Sequence, residues 1–161
     1  MKRNVLFVLS LVMIALVTVA CTQETVVSPG VRHSSVVYRT SAAGVKDTIT
    51  LSDSLQVGDT VLFPMVLNGY YDYLNTFMVS ADTTKVQVSL LWNEEDSACL
   101  APSANPEQGL LVFNAGAIYA CMTTLKYVPK ASGAHRIDLA LTSAARSPYS
   151  SWAGYFYIGV K

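Results

Sequence analysis

The chain has 161 residues and a mass of 17.4 kDa, room for one domain once any targeting segment is set aside. Eleven Lys and Arg balance eleven Asp and Glu, and only 14% of residues are charged, so no charge excess exists to drive binding to nucleic acid. With 52% apolar residues, nine Tyr, five Phe and two Trp, the composition is that of a chain that fills a core, not of a disordered one.

In chain order, Lys2 and Arg3 precede an apolar run from Val5 to Ala20, interrupted only by Ser10 and Thr18 and closed by a small residue before Cys21. This is the layout of a signal peptide over residues 1–20. As a helix those sixteen residues would reach about 24 Å, short of the roughly 30 Å hydrocarbon core, which disfavours a permanent span. The segment Leu16-Val17-Thr18-Val19-Ala20-Cys21 resembles the lipobox of bacterial lipoproteins, in which the Cys is acylated and becomes the mature N-terminus. Thr18 stands where leucine is usual, and ordinary signal peptidase cleavage after Ala20 is the alternative. With the tether Thr22-Gln23-Glu24-Thr25, the resemblance extends to Bacteroidota-type envelope lipoproteins, and implies a membrane attachment through lipid on Cys21, at the outer membrane. Loss of residues 1–20 leaves nine basic and eleven acidic residues. Multiple acyl chains add about 0.8 kcal/mol per buried methylene, so attachment needs no polybasic patch.

Residues 21–35 are polar and carry Ser28-Pro29-Gly30, and read as the lipidated Cys and its tether. From residue 36 to 161 the dominant period is two. Val86, Val88, Leu90 and Trp92 alternate with Lys85, Gln87, Ser89 and Leu91, as His135, Ile137, Leu139 and Leu141 alternate with Arg136, Asp138, Ala140 and Thr142. Further strands are predicted at Val36–Thr40, Asp47–Leu51, Thr60–Leu67, Leu74–Ser80, Gly109–Phe113, Ala117–Val128 and Tyr155–Val160. Turn residues at Gly58-Asp59, Asn68-Gly69, Pro129 to Gly133 and Ser147-Pro148 separate them. Pro64 cannot donate to a ladder, so its strand is expected at an edge or with a bulge. The predicted fold is all-β: a single antiparallel β-sandwich, immunoglobulin-like or related, with a small β-barrel as the alternative. Tyr119 and Cys121 resemble the Tyr-x-Cys of the immunoglobulin F strand, although Ala115 stands where Asp is usual and no Cys lies upstream at strand B distance. Cys99 and Cys121 form an even pair once Cys21 is acylated, but Cys99 lies in a loop-like stretch, and two unbridged thiols are expected.

Catalytic patterns are sparse. The sequence holds no Gly-x-Ser-x-Gly, no Gly-rich phosphate loop and no His-Glu-x-x-His, and His33 and His135 lack a partner at metal-ligand spacing. Glu94-Glu95-Asp96 lacks the spaced alternation and glycine of a calcium loop and reads as a solvated turn. No cofactor, metal or catalytic residue is expected. Aromatics concentrate instead in Tyr70, Tyr71 and Tyr73 after the Asn68-Gly69 turn, and in Tyr149, Trp152, Tyr155 and Tyr157. Tyrosines on a turn offer large rigid area with a hydroxyl, suited to a sugar ring or a protein partner. The reading is a non-enzymatic envelope lipoprotein whose sandwich binds another envelope component, protein or glycan, with Tyr70, Tyr71 and Tyr73 as contacts. A glycan-acting hydrolase with loop-borne carboxylates, or a structural subunit of a surface assembly, are the alternatives.

Overall fold

The computed structural model describes residues 27–34, 36–50, 53 and 55–161, the side chains of 94–96 excepted; the predicted signal segment, Cys21 and the first part of the predicted tether lie outside the described residues. Ten strands form: β1 (Gly30–His33), β2 (Val36–Thr40), β3 (Lys46–Thr50), β4 (Thr60–Asn68), β5 (Leu74–Ala81), β6 (Val86–Leu91), β7 (Leu110–Val112), β8 (Ala120–Pro129), β9 (Gly133–Ser143) and β10 (Ser151–Val160). They make two antiparallel sheets. The larger runs β3-β2-β4-β8-β6, with β1 also on β4, and the smaller runs β10-β9-β5-β7. No described helix is long and apolar enough to cross a membrane. The expected all-β sandwich is what the chain forms, and it is not a closed barrel.

The period of two decides which side chains meet between the sheets. On β4, Val61, Phe63, Met65 and Leu67 are buried; on β8, Leu125 and Tyr127; on β9, Ile137, Leu139 and Leu141. Each such side chain contributes about 1.5–3 kcal/mol through removal from water. On β5 the buried set is Leu74, Phe77 and Val79, and the odd spacing is explained by a register shift between Leu74 and Thr76. On β6, Val86 and Leu90 are buried, whereas Val88 is half-buried. Trp92, past the strand's end, is also half-buried and meets Phe113 edge-on at 5.9 Å. The last two sit at the margin of the core because β6 is an edge strand.

Two features depart from the sequence reading. Within the stretch expected to be tether, Gly30–His33 pairs with Met65–Asn68, and the His33 ring lies 5.9 Å from that of Phe156. Pro64 sits in a strand paired on both sides, between β8 and the β1/β2 line. Its carbonyl accepts from Ser34 N at 3.1 Å, so its missing donor faces Ser34, just past the end of β1. The neighbour's interruption, rather than an edge position, accommodates the ring.

From β4 to β9 every connection switches sheet. The long connection between β6 and β7 includes two short 3-10 helices, Glu94–Cys99 and Pro106–Gln108, and it closes the side where β6 and β7 are the edges. On the opposite side, Leu55 pairs with Val160 and covers half of the gap. Its loop is fixed by the buried carboxylate of Asp59, which accepts from Gln56 N at 3.0 Å and Ala42 N at 3.1 Å.

One buried polar contact joins the sheets. The Tyr127 hydroxyl lies 2.6 Å from His135 Nδ1, and the His135 side chain is buried. Burial is the main reason that the His135 pKa falls below its ordinary value. The unfolded chain therefore takes up a proton before the folded one does as pH falls below about 6.5. The associated stability is intact above that pH and is lost as pH drops toward the folded value. The urea midpoint is expected to fall between pH 7.5 and pH 5, and His135→Asn should flatten that dependence.

Candidate functional site

Tyr70, Tyr71 and Tyr73 come together where β4 turns into β5. The turn is built by backbone bonds: Gly69 N donates to Tyr119 O at 2.8 Å, Asp72 N to Gly69 O at 3.1 Å, and Leu74 N to Ile118 O at 2.8 Å. Gly69 is required by crowding, since a Cβ there would lie 2.1 Å from the Asp72 carbonyl oxygen. Tyr70 adopts φ 58°, a left-handed conformation that costs a non-glycine residue about 1–3 kcal/mol. The Asn68 side chain compensates by accepting from Tyr70 N at 2.6 Å.

The three rings are held differently. Tyr70 packs over β1, its hydroxyl 3.4 Å from where a Cβ on Gly30 would stand. Tyr73 stacks on Tyr119, with centroids 4.0 Å apart and planes 24° apart. The neighbouring Tyr73 hydroxyl, then burial, raises the Tyr119 phenol above its usual pKa. Tyr71 is 71% exposed and projects from the turn. The immunoglobulin-strand resemblance at Tyr119 does not extend to its role, because the side chain is exposed at the end of the sandwich. Cys99 and Cys121 form no disulfide. The outer face of the larger sheet continues this aromatic end with Met122, 72% exposed, opposite Val66. Sequence reasoning missed Tyr119 and Met122 as members of the surface, since they join it through non-local pairing.

A second surface lies on the smaller sheet, at the other end of β5, about 25 Å from the turn at roughly 3.3 Å per residue. A depression of about 380 Å³ is lined by Ser80, Asp82, Lys85, His135, Arg136 and Asp138. Its charges are matched internally: Lys85 to Asp82 at 3.5 Å and Arg136 to Asp138 at 2.6 Å, with the Arg136 guanidinium 4.4 Å above the Tyr155 ring. The Thr84 hydroxyl and backbone hold the Asp82 carboxyl below its usual pKa. A glycosidase proton donor needs the opposite shift. Among the described residues, no group of three His, Cys, Asp or Glu could hold a metal ion, and the side chains of Glu94, Glu95 and Asp96 lie outside the described set.

No protein-family model matches the chain, and no curated protein matches it in sequence. Among solved structures, the Salmonella SafD adhesin is similar over 83% of this chain and 99% of that one, at a TM-score of 0.44 and 12% identity. A family 123 glycoside hydrolase from Clostridium perfringens, solved to describe glycolipid glycan hydrolysis, is similar over 83% of this chain at a TM-score of 0.39 and 14% identity. This chain spans 27% of that hydrolase.

The unequal packing of the tyrosines gives a stability signature. By urea denaturation, Tyr71→Ala should lie within about 0.5 kcal/mol of the unsubstituted chain. Tyr73→Ala should cost about 0.5–1.5 kcal/mol through loss of the stack, and Gly69→Ala about 1–3 kcal/mol.

Proposed function

We propose that this chain is a non-enzymatic lipoprotein of the bacterial envelope, anchored in the outer membrane through acylated Cys21, whose sandwich binds another envelope component through the tyrosine turn. The observation that carries the reading is Tyr71, a large ring left 71% exposed on a turn whose backbone is fixed at Gly69, Asn68 and Tyr70. A rigid, exposed aromatic loses little entropy on contact and buries a large area, the character of a binding anchor. On β8, opposite Val66, exposed Met122 supplies an adaptable apolar surface, which favours a protein over a glycan as the component bound. The hydrolase alternative finds less support, since the two carboxylates that line the depression are paired with Lys85 and Arg136 and Asp82 is held ionised.

Incorporation of a photo-crosslinking phenylalanine at position 71 tests the reading in cells that make the chain. Adducts are expected at position 71 and absent at position 132, at the other end of the sandwich. Equal adducts at both positions, or none at 71, would remove the tyrosine turn as the contact. Mass spectrometry of the purified product is expected to show an acylated Cys21, and an unmodified Cys21 or an intact Met1 would remove the anchor.

A further inference from the structure

The side of the sandwich that Leu55 covers only in part bears on association, independently of the tyrosine turn. Gly159 O accepts from Leu55 N at 3.2 Å, and Lys161 N donates to Leu55 O at 2.8 Å. Backbone groups of alternate residues point the same way in a strand, so Ser151, Ala153, Tyr155 and Tyr157 also direct their N–H and C=O groups away from β9. Among the described residues nothing pairs with them. Beside this edge runs a groove of about 160 Å³ lined by Val31, His33, Trp152, Gly154 and Phe156.

The other sheet edges are protected. β3 has five residues and carries Lys46 and Asp47, β1 has four and carries Arg32, β7 has three residues, and the connection before β7 flanks β6. By contrast β10 has ten residues, with no charge, no proline and an unbroken register on β9. A long, uncharged edge in unbroken register is a template for another strand.

We propose that two copies of this chain join through β10, antiparallel, about a two-fold axis at Gly154. Only this register pairs all four free residues with one another: Ser151 with the second copy's Tyr157, Ala153 with its Tyr155, and the reverse. A shift of the axis by one residue either way leaves one of them without a partner or sets it against Gly159, whose carbonyl Leu55 already occupies. The side chains agree with the same axis. On the outer face each tyrosine meets a small residue, Ala153 or Ser151. On the inner face Trp152 of one copy meets Phe156 of the other at a non-hydrogen-bonded position, where cross-strand side chains approach most closely. Gly154 meets its equivalent at the axis, under the Trp152 ring that already packs against it. Two uncharged edges come together without like-charge repulsion, and the result is one continuous eight-stranded sheet, an isologous closed pair.

The test uses the full chain in density-matched detergent, by sedimentation equilibrium over a concentration series with hydrogen exchange on the same samples. A dimer is expected, with amides of Ser151, Ala153, Tyr155 and Tyr157 exchanging about tenfold or more slowly than in dilute monomer. Ser151→Glu with Tyr157→Glu should give a monomer, because like charges then face each other, and Ser151→Lys with Tyr157→Glu should restore the dimer. Should the doubly acidic variant fail to fold, Tyr155→Pro removes one outward donor without touching a β9 bond and should also be monomeric. A monomer at every concentration, a dimer with unprotected β10 amides, protection that needs an added foreign protein, or a charge-swapped variant as monomeric as the acidic one would each overturn the proposal.

Discussion

Two stacked sheets share a dry core only as far as their sides are sealed, and here the two sides are sealed by different means. Where β6 and β7 end the sheets, the connection between them runs along the gap with its two short helices, and Leu100 bridges to Phe113. On the other side the larger sheet changes its outermost strand halfway along, from β3 beside β2 to β1 alone on β4. Leu55 reaches across to Val160 only at the end where β3 is present. The graded burial of β10 follows from this: Ile158 and Val160 are buried, whereas Trp152 and Phe156, on the same face, are half-covered.

The central strands were readable because each lies between neighbours on both sides and one of its faces meets the opposite sheet. β4, β8 and β9 therefore carry an apolar residue at nearly every second position. What escaped the sequence was set by partners distant in the chain. β1 contains a single large apolar residue, Val31, in a polar surround, and its strand character comes from the β4 edge it joins. Pro64 is a local signal for an edge, yet the break between β1 and β2 satisfies the same requirement from the neighbouring strand. The tyrosine turn shows the same division. Its position after Asn68-Gly69 was legible, but which ring would be free depended on Tyr119, which lies 46 positions beyond Tyr73.

The charges of the described surface act locally. Arg39 is paired with Asp47 and lies 3.9 Å from buried Asp59, while Lys85 and Arg136 take Asp82 and Asp138. Exposed pairs of this kind are worth little individually, about 0–1 kcal/mol each. Over the whole sequence eleven acidic and eleven basic residues balance.

The alternation of the chain between sheets has a kinetic consequence. Every connection from β4 to β9 crosses the sandwich, so among the described strands only the β2–β3 and β9–β10 hairpins join neighbours in sequence. Closure of long loops comes before most of the core contacts that reward it, the regime in which small β proteins take milliseconds to seconds to fold. Until β9 reaches β5, the apolar faces of both sheets stay uncovered, so the partly folded chain carries a risk of aggregation for as long as that closure takes.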